Sequence, residues 1–137
     1  MVNYSLIVEE LESILNTFAD EHYSEDDVLR LPYLYDELKL DSHRNLQNTK
    51  FFRYVEDCYE GNKKCDYLDT ETKDFIDGFI NDSKSAELIL DEMFEYSDIW
   101  LIDLLDDIRD FKNNRTNSVR DENICKLLNL VKCLEQF

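Results

Sequence analysis

Two glycines and one proline are all that 137 residues contain, far below ordinary usage. Few turns and many long side chains point to helices. Basic residues are the second shortage: 15 Lys and Arg stand against 32 Asp and Glu, a formal net charge of −17. Direct nucleic-acid binding and anionic membrane surfaces are excluded, because phosphate contacts need a basic patch, and Lys63 with Lys64 is only a local pair. No stretch approaches the roughly 18 uninterrupted apolar residues of a membrane span. The N-terminus shows no cationic start followed by an apolar run, so a cytoplasmic location is expected and the Asn-x-Ser/Thr matches at Asn3, Asn81 and Asn114 carry no meaning.

Close cysteine pairs are also missing. Cys58, Cys65, Cys125 and Cys133 contain no C-x-x-C spacing, and His22 and His43 do not complete a zinc set. The four are expected to be buried free thiols in a reducing compartment. Two isolated glycines cannot build a phosphate-cradling loop. His22 is expected on the core face of the first helix and His43 in a loop without a paired acid. No catalytic, metal-binding or cofactor-binding residue is singled out.

What remains reads as one all-α domain over residues 1–137, with about six to seven short-to-medium helices. Hydrophobic residues reach 43%, enough for a sizeable core at this length. Ile7, Leu11, Ile14, Leu15 and Phe18 repeat at helical spacing within 4–20. Ser24 opens a second helix, with Glu25, Asp26 and Asp27 complementing its dipole; Pro32 is expected to break or restart it, and 41–48 reads as loop. Thr49 caps a helix that stops at Gly61. Thr70 caps the next, through Phe75, Ile76, Phe79 and Ile80, with Gly78 weakening its middle. Ser85 begins another, Ser97 caps a separate one to about Phe111, and Ser118 starts the last.

The acids are blocked rather than scattered. Residues 9–27 hold eight acidic residues and no Lys or Arg; residues 91–110 hold eight against Arg109 alone. Drawn at about 100° per residue, the stretch 97–111 puts Trp100, Leu101, Leu104, Leu105, Ile108 and Phe111 on a core face. Asp103, Asp106, Asp107 and Asp110 form the opposite stripe, and Ile99 falls within it as an apolar anchor ringed by acids. Like charges three and four apart repel by a few tenths of a kcal/mol per pair, so a stripe of this kind points to a positive partner. Glu95, Tyr96 and Asp98 join it, and Tyr33, Tyr35, Glu25 and Asp26 border the first acidic block. Tyrosine is enriched at interfaces.

Two short patterns resemble known enzymes. Asp106-Asp107-Ile108-Arg109-Asp110 resembles the aspartate-rich magnesium motif of isoprenoid synthases, over five residues in a chain about half the size such a cavity needs. Glu92-x-x-Glu95 followed by Asp103-x-x-Asp106 is similar to the helical nucleotide pyrophosphatases, whose paired acids on adjacent helices hold Mg²⁺; that resemblance implies a small Mg-dependent nucleotide hydrolase. In overall character the chain resembles acidic helical immunity proteins. The expectation is therefore an acidic inhibitory protein that caps a basic enzyme, a nuclease-type toxin, without enzyme activity of its own. The alternative is a phage-type DNA mimic acting on restriction or CRISPR machinery.

Overall fold

In a computed structural model, residues 4–62, 65–80, 84–113, 119 and 121–137 are described. Six helices follow in order: α1 (Tyr4–Ala19), α2 (Glu25–Arg44), α3 (Lys50–Glu60), α4 (Thr70–Asp77), α5 (Ala86–Lys112) and α6 (Asp121–Cys133), with a 3-10 turn at Leu46–Asn48. Among the described residues there is no strand, only an isolated bridge between Thr49 and Gln136. The fold is all-α.

Local chemistry explains most boundaries. At Ser24 a complete capping box forms: Ser24 Oγ accepts the Asp27 N–H at 3.2 Å, and Asp27 Oδ2 accepts the Ser24 N–H at 3.0 Å, which satisfies two donors that the first turn leaves orphaned. Thr49 Oγ1 accepts the Phe52 N–H at 3.1 Å. Gly61 closes α3 at φ 78°, in the left-handed region glycine enters without penalty. Ser85 caps α5 as its position suggests.

Five expectations are corrected. α1 ends through Glu21, itself left-handed at φ 59°, and the His22 N–H reaches back to the Thr17 carbonyl at 3.0 Å. That closure turns His22 outward, so it is exposed rather than on a core face. Pro32 lies inside an unbroken α2; the cost of an interior proline, about 3 kcal/mol, is offset by burial of Leu31, Leu34, Tyr35 and Leu38 around it. α2 also runs through most of the expected 41–48 loop, to Arg44. The cap of α4 is Asp69, not Thr70, its carboxylate accepting the Thr72 N–H at 2.7 Å; α4 ends at Asp77, so Gly78, Phe79 and Ile80 lie beyond it. Ser97 caps nothing. It is fully buried in a continuous α5 and donates to the Met93 carbonyl at 2.6 Å. The expected start at Ser118 lies outside the described residues.

Ser97→Ala is therefore expected to leave stability within about 0.5 kcal/mol, since a buried mid-helix serine replaced by alanine gains helix propensity. A true capping serine would cost about 1–2 kcal/mol. Urea denaturation decides between them, and a loss above about 1 kcal/mol would contradict the continuous helix.

One hydrophobic core joins the helices. Leu11 and Leu15 of α1, Leu31 and Tyr35 of α2, Leu101 of α5 and Leu127 of α6 meet around a small internal space. α6 packs on α1, α4 and α5. Tyr4 Oη donates to the Leu134 carbonyl at 2.7 Å, joining α1 to the segment after α6 across 130 positions. All four cysteines are free; Cys65 and Cys133 are buried as expected, Cys58 is half-buried and Cys125 is exposed.

Candidate functional site

α2 and α5 lie side by side in opposite directions, joined along a polar seam. Lys112 Nζ meets Glu25 Oε1 at 2.7 Å at one end. In the middle Asp98 accepts the Tyr35 hydroxyl at 2.6 Å and pairs with Lys39 Nζ at 3.0 Å. At the other end His43 Nε2 meets Asp91 Oδ1 at 2.7 Å, while Nδ1 faces the Lys39 carbonyl at 3.0 Å.

The seam fixes which side chains share an outward face. On a helix the residues before and after a given position point about 100° to either side of it. Beside Lys39, Leu38 is buried and Leu40 exposed; beside its partner Asp98, Ser97 is buried and Ile99 exposed. Leu40 and Ile99 therefore emerge on the same side. With them come Leu29 and Tyr33 of α2 and Leu88 and Ile102 of α5, every one more than half exposed. Exposed carboxylates stand between these apolar residues: Asp26 and Asp36 on α2, Glu95, Asp103 and Asp106 on α5. The nearby cations are already engaged, Arg30 with Glu10, Lys84 with Glu92 and Arg109 with Asp106.

Of the residues expected at a partner surface, Tyr33, Glu95, Tyr96, Ile99, Asp103 and Asp106 are exposed, as are Glu25 and Asp26. Four are placed differently. Tyr35 is buried, and burial together with its hydrogen bond to Asp98 pushes the phenol far above its ordinary range; it positions the seam and offers no surface. Asp98 is half-buried and held by Tyr35 and Lys39. Asp107 is buried rather than part of the outward stripe, because it lies one turn from Leu104 and Phe111 on the core-ward flank, while Asp110 is only partly exposed. Leu29, Leu40, Leu88 and Ile102 went unpredicted. Their signal was present: Leu29, Tyr33 and Leu40 stand four and eleven apart, a second apolar stripe on a helix whose core stripe is already complete.

His43 gives the seam a pH dependence. Burial alone would lower its pKa, but the Asp91 hydrogen bond, the Lys39 carbonyl and the charges of Asp91 and Glu87 outweigh it, and the result is raised above 6.5. Both ring nitrogens face acceptors, which only the doubly protonated ring satisfies together. A raised folded-state pKa adds stability that is complete below the unfolded value near 6.5 and is lost as pH rises through the folded value. The pair is well exposed and solvent-screened, so about 0.5 kcal/mol or less is involved. Relative to His43→Gln, the wild type is expected to lose this margin between about pH 6 and pH 8; a flat difference in thermal stability across that range would refute it.

No protein-family model, curated protein or solved structure matches the chain. Among the described residues, no group of three or more His, Cys, Asp or Glu side chains is arranged to hold a metal ion. The paired acids Glu92, Glu95, Asp103 and Asp106 sit on one continuous helix, unlike the adjacent helices of the nucleotide pyrophosphatases. No described helix is long and apolar enough to cross a membrane.

Proposed function

We propose that this chain is an acidic inhibitory binding protein that neutralises a basic partner enzyme in the cytoplasm, as an immunity protein capping the active site of a nuclease-type toxin. The observation that carries this reading is the outward face of α2 and α5, where six apolar side chains alternate with exposed carboxylates, of which, among the described residues, only Asp106 has a neighbouring cation paired to it, Arg109, while Arg30 turns to Glu10. Carboxylates steer a basic surface into place and can raise association to about 10⁸–10⁹ M⁻¹s⁻¹ at low salt. Apolar anchors, excluded from water on docking, slow dissociation. Inhibition then needs no chemistry: the acids sit where substrate phosphates would bind.

The apolar residues also favour this reading over a DNA mimic. Duplex DNA presents one charge per roughly 1.7 Å of axis, whereas Ile99, Ile102 and Leu88 interrupt the acids with groups no phosphate backbone carries. A pull-down of host and neighbouring-gene proteins at low and high salt tests the proposal. The expected result is one basic nuclease, retained at high salt and inhibited at one-to-one stoichiometry. Capture of a restriction or CRISPR complex would replace this reading with the mimic, and a captured partner with unimpaired activity would overturn it.

A further inference from the structure

Beside the outward face, α4, the residues that follow it and α5 bring four aromatic rings into one strip. Phe75 and Phe79 meet at 5.5 Å between centroids and 66° between planes; Phe75 meets Trp100 at 5.8 Å, and Phe79 meets Tyr96 at 5.6 Å and 61°. Tyr96 and Trp100 are one turn apart on α5, so the order along the strip is Tyr96, Phe79, Phe75, Trp100. Aromatic rings with this much area are ordinarily spent on a core. Here Tyr96 is about half exposed and the other three keep partial access to water.

At the Trp100 end the strip already holds a cation. Lys126 of α6 places Nζ 5.6 Å from the Trp100 centroid, steadied by Glu122 at 3.1 Å. Among the described residues no cation is seated on Tyr96 or Phe79. That end opens into a groove of about 630 Å³ lined by Lys84, Glu92, Glu95, Tyr96 and Ile99, in which Lys84 is held by Glu92 and Glu95 is left to face the ring. A ring face attracts a cation through its quadrupole, and the neighbouring Glu95 carboxylate accepts its N–H donors. Only a flat, weakly hydrated cation can stack on a ring and reach a carboxylate in its own plane at once, which describes guanidinium and not ammonium.

We infer that the Tyr96–Phe79 end of the strip, with Glu95 beside it, receives an arginine side chain of the partner. This rests on the partner being basic and adds which of its residues the groove selects. The probes are fluorescein-labelled hexa-arginine and hexa-lysine peptides, equal in charge, titrated into the full chain at low salt and followed by anisotropy. The arginine peptide is expected to bind about twofold to fivefold more tightly, and Tyr96→Leu and Phe79→Leu, checked by thermal melting for an intact fold, should erase the preference while leaving binding of the lysine peptide unchanged. In the unaltered protein, the Tyr96 ring resonances should move with the arginine peptide and not with the lysine peptide, which needs no variant. Equal affinities, a preference that survives Tyr96→Leu, or silent Tyr96 resonances would overturn this inference and leave the basic-partner reading standing. Failure of both peptides to bind would overturn the basic-partner reading as well.

Discussion

Replacing three carboxylates together, as Glu95→Gln, Asp103→Asn and Asp106→Asn, is expected to slow association with the proposed basic partner by about tenfold to a hundredfold at low salt. All three are exposed on α5, so their charges reach through water and are screened beyond about 10 Å at 0.1 M salt. The difference between wild type and variant should therefore shrink as salt is raised, with dissociation little altered. Ile99→Ala and Tyr33→Ala should do the reverse. They leave the long-range field intact and raise the dissociation rate, by about thirtyfold each if they act as hot spots of 2 kcal/mol. Stopped-flow mixing across a salt series separates the two behaviours. An unchanged association rate in the triple variant would remove this stripe as the steering surface.

Phe94→Ala is expected to cost about 3–5 kcal/mol, a large part of the 5–15 kcal/mol that holds a typical domain together. Phe94 is buried. Its ring meets Tyr35 edge-on at 6.0 Å and stacks with His43 at 6.2 Å, and its carbonyl accepts the Tyr35 hydroxyl at 3.3 Å. Truncation would open a cavity directly beneath the seam, loosening Tyr35 and with it the Asp98 and Lys39 pair above. Phe94→Leu keeps most of the volume and should cost far less. Urea denaturation of both variants, followed at two wavelengths for two-state behaviour, measures the difference. A loss under about 1 kcal/mol for alanine would mean that the seam is not supported from below.

Caps were the most legible part of the fold. Ser24, Thr49 and Ser85 each combine a short side-chain oxygen with a following apolar period, and Gly61 ends α3 because only glycine takes a left-handed turn without cost. Those signals are local, so the chain alone displays them. The failures came where tertiary burial overrode a local preference. Pro32 and Ser97 both look like boundaries, yet each sits amid helices whose apolar faces continue on either side, and packing that face outweighs one unfavourable residue. The site divides in the same way. Exposure of Asp103, Asp106 and Ile99 follows from one helical wheel. Burial of Tyr35 and Asp107 depends on which neighbouring helix occupies the space next to them, and a single wheel does not contain that. Nor does it contain the strip of rings, since Phe79 and Tyr96 are brought together only by the way the segment after α4 runs beside α5.

The hydrogen bond from Tyr4 to the Leu134 carbonyl has a bearing on how the chain is made. The ribosome adds about 5–20 residues per second, so some 130 residues later means that α1 waits on the order of ten seconds for α6, the helix against which it packs. Through that interval the side of Leu11 and Leu15 that α6 will cover stays open, with α2 and later Leu101 of α5 as the neighbours that emerge before it. A nascent chain with bare leucines is prone to stick to others like it. This one already carries its first eight uncompensated acids between residues 9 and 27, and mutual repulsion between such chains keeps them apart until the last partner helix arrives. The excess of charge proposed to meet a basic enzyme would thus also, while the protein is still being synthesised, disfavour contact between nascent chains.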